Sequence, residues 1–151
     1  MLEVFIDGAC SPVNPGGTCS YGLVIKRNDD YLLKEGNVIG SGCLMSNNVG
    51  EYSALQAFLR WYIKFGDAEE ALIKSDSQLL VNQMAGVWKA KDGIYLSYYM
   101  DVQNTMKRNC LANRFKFKWI PREENMEADN LSKMAIVLNE HKERLINNIP
   151  L

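Results

Sequence analysis

Four acids stand where a carboxylate is awkward: Asp7, Glu51, Asp76 and Asp129. Asp7 and Asp76 close short apolar runs, Leu2 to Ile6 and Ala71 to Ser75, that read as strands. If those strands are parallel neighbours, both acids lie at the carboxyl edge of the sheet, where open α/β sheets bind their ligands. Each also has a plainer role, Asp76 as the cap of a helix starting at Ser77 and Asp7 as the turn residue before Gly8. Glu51 follows Asn48 by three residues and could be the acidic half of a capping box. It also shares a stripe with Leu55, Phe58 and Tyr62, which turns it toward the sheet. Asp129 sits at the edge of the apolar face formed by Ala128, Leu131, Ala135 and Leu138, beside Ser132 and Ile136, and its plainer role is that of a solvated helix acid.

No nearby run of Lys or Arg is placed to neutralise all four acids. Carboxylates packed together repel one another and raise their own pKa values unless a cation intervenes. Hard oxygen donors suit Mg²⁺ or Mn²⁺. Two such ions about 4 Å apart can activate a water and stabilise the leaving oxygen of an in-line phosphodiester displacement. Metal-dependent phosphoryl transfer is therefore the chemistry these residue types point to.

The elements that would carry them follow from periodicity. Leu2, Val4 and Ile6 alternate with Glu3, Phe5 and Asp7 as a first strand, and a Gly/Pro/Asn-rich turn runs from Gly8 to Gly17. A second strand covers Tyr21 to Lys26, Asn28-Asp29-Asp30 signals a hairpin, and a third strand falls between Tyr31 and Leu44. Asn48 to Phe65 is helical, with Gly66 as C-cap. Ala71 to Ser75 is a buried strand, Ser77 to Ala85 a short helix stopped by Gly86, and Ile94, Tyr95, Tyr98, Tyr99, Val102 and Met106 mark another helix. Phe115, Phe117 and Trp119 form a fifth strand, and a last helix spans roughly Glu123 to Leu138. The string βββαβααβα predicts an α/β fold: a mixed five-stranded sheet, three antiparallel strands then two parallel, flanked by helices.

At 151 residues and 47% hydrophobic content, the chain is expected to form one domain over 1–151, with one core. The acidic start and the lack of a membrane-length apolar run predict a cytoplasmic protein without membrane contact. Cys10, Cys19, Cys43 and Cys110 show no C-x-x-C spacing and are expected as free thiols. A net charge of −1 gives no overall attraction for a polyanion, so any nucleic-acid contact must be local.

Four blocks then carry a resemblance: Asp7-Gly8-Ala9-Cys10 with Asn14-Pro15-Gly16-Gly17; Ser46-Asn47-Asn48-Val49-Gly50-Glu51-Tyr52; Ser75-Asp76-Ser77-Gln78-Leu79-Leu80-Val81; and Trp119-Ile120-Pro121-Arg122-Glu123-Glu124-Asn125 with Ala128-Asp129. In this order and spacing they resemble type 1 ribonuclease H, a ribonuclease H-like fold, across essentially the whole chain. The resemblance implies a monomeric endonuclease that hydrolyses the RNA strand of RNA/DNA hybrids with two Mg²⁺ ions, or Mn²⁺ in their place, leaving 5′-phosphate and 3′-hydroxyl ends. It implies Asp7, Glu51, Asp76 and Asp129 as ligands, Asp7 shared by both ions.

Asn14, Asn48 and Gln78 would then read ribose 2′-hydroxyls and base edges in the minor groove, with Asn47 beside them. Asn47 and Asn48 also suit plain helix capping. Trp88, Lys89 and Lys91 fall where family members grip the DNA strand by stacking and phosphate contacts, although Trp88 equally suits a core position. Two departures stand out. The Trp88 segment is short and lacks the long basic protrusion of many bacterial members, and Arg122 occupies the loop where many relatives carry a His. The lone histidine, His141, is expected at the surface. Whether double-stranded RNA is a second substrate stays open. Competing readings are another nuclease of the same fold, resolvase-like, integrase-like or associated with a reverse transcriptase, and a nucleic-acid-binding module without chemistry.

Overall fold

Alternating apolar residues in the first strand dictate a sheet packed under helices, and the computed structural model, which describes residues 1–148, builds it in the order β3-β2-β1-β4-β5. The strands are β1 (Leu2–Ser11), β2 (Gly16–Arg27), β3 (Asp30–Gly42), β4 (Ala71–Ser75) and β5 (Phe115–Trp119). The helices are α1 (Asn47–Phe65), α2 (Gln78–Met84), α3 (Leu96–Arg108) and α4 (Met126–Asn147), with a 3₁₀ turn at Arg122–Glu124. The first three strands pair antiparallel, while β4 pairs parallel to β1 and β5 parallel to β4. The expected mixed sheet is the one observed.

Even-numbered residues of β1 (Leu2, Val4, Ile6) and their β2 partners (Ile25, Leu23) pack under α1 with Val49, Tyr52, Leu55, Phe58 and Leu59. The opposite face holds Asp7 and its partner Gly22, and α4 lies across it on β1, β2 and β3. Asn28 and Asp29 take φ of 50° and 68° in the β2–β3 turn. Two left-handed residues in a two-residue loop match the right-handed twist of the strands they join.

Several element ends differ from expectation, for local reasons. β1 does not stop at Asp7 but runs to Ser11, and β2 starts at Gly16, so most of the expected Gly8–Gly17 turn is strand. Pairing of β1 with β4 ends at Phe5↔Lys74, whereas pairing with β2 continues to Ser11↔Thr18. Asp7 therefore stands where β1 has parted from β4 while still held by β2. The cap of α1 is Ser46, whose hydroxyl accepts from Val49 N at 3.3 Å, so Asn48 and Glu51 form no capping box. Gly66 ends α1 in right-handed conformation (φ −73°), its N–H bonded to Tyr62 O. α4 begins at Met126 rather than Glu123, because Glu123 and Glu124 lie in the 3₁₀ turn, and it continues to Asn147. Among the described residues no helix is long and apolar enough to cross a membrane.

Candidate active site

All four acids converge at the end of the sheet where β1 leaves β4. Asp7 is 5% exposed and faces α4. Asp76 follows the last residue of β4, and its plainer role as a cap is taken by Ser77, whose hydroxyl accepts from Leu80 N at 3.2 Å. Glu51 sits one turn into α1, and Asp129 one turn into α4, 5% exposed rather than solvated.

Two close approaches make this convergence possible. A Cβ on Gly8 would lie 2.6 Å from Asn47 O, and one on Gly50 would lie 2.5 Å from Ser20 O and 2.9 Å from Gly8 Cα. Those distances are far inside van der Waals contact, so the missing side chains let the start of α1, with Glu51, rest directly on β1. On the other face a Cβ on Gly22, the partner of Asp7, would overlap the Ala128 carbonyl oxygen. That absence seats α4 and Asp129 over Asp7.

The electrostatics are those of crowded acids. Burial, then the charge of Asp76, then the hydrogen bond and charge of Asp129 and the charge of Glu51, push the Asp7 carboxyl up to about 9. Burial pushes Glu51 up to about 8, with the Ser77 hydroxyl opposing and Asp76 adding to the rise. Glu51 Oε2 is buried without a hydrogen-bond partner. Only Asp129 of the four has cationic partners among the described residues: Lys133 Nζ at 2.9 Å and Arg122 at 3.8 Å.

A hard divalent cation fits this donor set, since it would satisfy the orphaned Glu51 oxygen and offset the repulsion that raises Asp7. The acids are near enough to perturb one another, yet among the described residues no three His, Cys, Asp or Glu are drawn together as a ready-closed cage.

Asn125 was not foreseen as a site residue. Directly before α4 it has the type and place of an N-cap, but its side chain caps nothing. Its Nδ2 instead donates to Ile6 O at 2.9 Å and to Asp76 Oδ1 at 3.0 Å, and the residue is 1% exposed. Its Oδ1 is left buried and unpartnered, which costs roughly 1–3 kcal/mol. Trp119, likewise unforeseen, donates its indole N–H to Asp76 O at 3.1 Å.

The expected substrate residues sit on loops and at helix starts. Asn14 Oδ1 accepts from Asn47 N at 3.0 Å, tying the β1–β2 loop to the start of α1, where Asn47 and Asn48 are half-buried. Gln78 is exposed at the start of α2. Trp88 is no core residue: it is 46% exposed and borders a groove of about 520 Å³ with Leu79, Gln83, Val87, Lys89, Lys91 and Tyr95. A buried chain anchors that groove, Tyr52 Oη donating to Gln83 Oε1 (2.6 Å), Gln83 Nε2 to Tyr95 Oη (2.8 Å) and Lys91 N to the same oxygen (3.1 Å). Arg122 pairs with Asp129 and not with Glu123 or Glu124. His141 is exposed, and all four cysteines are free.

A family model described as "Reverse transcriptase-like" matches residues 5–135. The N-terminal RNase H domain of Rv2228c from Mycobacterium tuberculosis superposes with a TM-score of 0.78 at 33% identity, over 94% of this chain and 97% of that one. The chain belongs to the reverse transcriptase-like family and is similar throughout to type 1 ribonuclease H domains. LC11-RNase H1, solved in complex with an RNA/DNA hybrid, superposes on this chain with a TM-score of 0.81 at 29% identity, over 92% of this chain and 99% of that one. The bifunctional protein Rv2228c is 37% identical over 140 residues, 89% of this chain but 36% of that protein. The chain thus spans about a third of the length of the curated relatives it matches. The short segment between α2 and α3, residues 85–95, carries no long basic protrusion.

Proposed function

We propose that the chain is an endoribonuclease that hydrolyses the RNA strand of RNA/DNA hybrids with two Mg²⁺ ions, or Mn²⁺ in their place, leaving 5′-phosphate and 3′-hydroxyl ends. The observation that carries this is the convergence of Asp7, Glu51, Asp76 and Asp129, with two carboxyls held far above the ordinary carboxylate range. Kinship with a protein solved on a hybrid supports the substrate class.

The four carboxylates would hold the ions, Asp7 contributing to both. When bound, these ions supply Lewis-acid charge at the scissile phosphate. Asp7 and Asp129 are nearly buried, so bulk water would screen their charges little. Arg122, 68% exposed and beside Asp129, puts a permanent positive charge where negative charge develops on the phosphate. Asn14, Asn47, Asn48 and Gln78 offer short polar side chains to the ribose 2′-hydroxyls along the RNA strand. Trp88, with Lys89 and Lys91 beside it, offers a stacking face and two cations to the DNA strand. Action as a single domain, as a monomer and in the cytoplasm belongs to the same reading.

The test is incubation with labelled RNA/DNA hybrid, double-stranded RNA and double-stranded DNA, each with Mg²⁺, Mn²⁺ or chelator. Hybrid should be cut only with metal, and a hybrid carrying 2′-deoxy sugars around the scissile phosphate should resist. DNA duplex cut at a comparable rate would favour a resolvase or integrase activity, and no cleavage of any substrate would favour a binding module.

A further inference from the structure

We propose that Asn125 is a positioning residue, an amide clasp that sets the spacing of the metal-binding carboxylates by tying three of the segments that carry them. The proposal rests on the reading of the four acids as a metal site. Asn125 itself has no role in that reading.

The three ties have different chemistry. Nδ2 donates to Ile6 O at 2.9 Å, fixing the peptide group that leads into Asp7. The same nitrogen donates to Asp76 Oδ1 at 3.0 Å, so its two hydrogens go to β1 and to the carboxylate beyond β4. These segments need a tie because direct β1–β4 pairing has ended at Phe5↔Lys74. The backbone carbonyl of Asn125 accepts from Asp129 N at 3.1 Å, which sets the first turn of α4 on which Asp129 sits. The amide orientation is chemically determined, because a carbonyl and a carboxylate oxygen both require a donor and only the NH₂ end can serve both. Leaving Oδ1 buried and unpartnered is an unusual choice for a residue that merely fills space. It is expected of one selected for two donated bonds.

By binding one oxygen of Asp76, the clasp also directs the carboxylate. With Oδ1 engaged by Asn125 and the Asp76 carbonyl held by Trp119 Nε1 at 3.1 Å, the other oxygen is the one free to face a cation. Hydrogen bonds to ligand carboxylates fix their orientation, and losing such a partner typically costs 10–100-fold in metal affinity or activity. At 1% exposure, Asn125 is out of reach of a nucleic acid, so its loss should leave substrate affinity alone.

The test compares the full chain with its Asn125→Ala and Asn125→Asp variants. The second keeps the shape and removes the donor. Leu111→Ala, at a buried core position outside the acids' segments, serves as a destabilised control. Mg²⁺ and Ca²⁺ binding is measured by calorimetry, hybrid cleavage at saturating Mg²⁺ gives kcat and KM, and melting with and without metal gives the stabilisation each ion confers. Both Asn125 variants should bind metal roughly 10–100-fold more weakly and lose kcat by a similar factor, with KM for hybrid within about threefold. Leu111→Ala should lower Tm while keeping metal affinity and kcat. If either Asn125 variant fails to fold, the other decides. Metal affinity and kcat within twofold of wild type, beside a lowered Tm, would make Asn125 a purely structural residue and overturn the proposal while leaving the nuclease function standing. A wild-type chain that binds neither ion would overturn the nuclease function and the clasp together.

Discussion

Asp7 carries the sharpest expectation at the scale of single residues. Asp7→Asn keeps the side-chain volume and removes a charge that burial and three neighbouring acids already oppose. Hybrid cleavage should be abolished while the Tm of the metal-free protein stays equal or rises, and near-normal hydrolysis would remove Asp7 from the site. Arg122 is a different case. Its guanidinium cannot shuttle a proton near neutral pH, and it lies 3.8 Å from Asp129 with most of its surface in water. If it stabilises developing charge on the phosphate, Arg122→Ala should slow turnover by roughly one to three orders of magnitude, with no step in the wild-type rate profile between pH 6 and 8 that vanishes in the variant. An exposed ion pair to Asp129 alone is worth under about 1 kcal/mol, and a variant within twofold of wild type would reduce Arg122 to that.

Among elements, the seating of α4 on the sheet is the decisive contact. A methyl at Gly22 must displace the Ala128 carbonyl, so Gly22→Ala is expected to lift α4, move Asp129 away from Asp7 and cost stability by about 1–3 kcal/mol, the usual range for overpacking. Cleavage should fall more than that stability loss explains. Activity retained at temperatures well below the lowered Tm would show that α4 tolerates the shift.

How far the elements were legible depended on pattern. α1 was plain because Leu55, Phe58 and Tyr62 repeat at helical spacing, and β5 because Phe115, Phe117 and Trp119 alternate. The far half of β1 was not, since Gly8, Ala9, Cys10 and Ser11 are small or polar and carry no alternation; tertiary pairing with Thr18–Tyr21 makes them strand. No residue of β3 is buried, so no clear alternation marks it and only its approximate limits were readable. The acids themselves were legible by type and spacing. Asn125 was not, because the expected last helix, starting at Glu123, enclosed it, and its bonds to Ile6 and Asp76 span more of the chain than any local pattern does.

For the molecule as a whole, crowding of acids without metal implies a definite pH dependence. A carboxyl whose folded pKa is raised favours the fold while protonated, so its contribution is complete below the unfolded value near 4 and is lost as pH rises through the folded value. With Glu51 at about 8 and Asp7 at about 9, the metal-free protein should lose stability progressively from about pH 4 to pH 9. Urea melts in chelator at pH 5.5 and 8.5 would show it, and saturating Mg²⁺ should flatten the difference by mass action on the folded state. A metal-free protein more stable at pH 8.5 would contradict the raised values. The order in which the chain supplies its acids has a further consequence, for synthesis. Asp7 comes from the first strand and Asp129 from the last helix, so a nascent chain emerging at about 5–20 residues per second already holds Asp7, Glu51 and Asp76 while Gly22 and Gly36 still lie bare, awaiting Ala128 and Leu131. Hydrolysis would thus begin only once α4 has docked, and nascent chains stalled before that helix clears the exit tunnel should leave hybrids uncut.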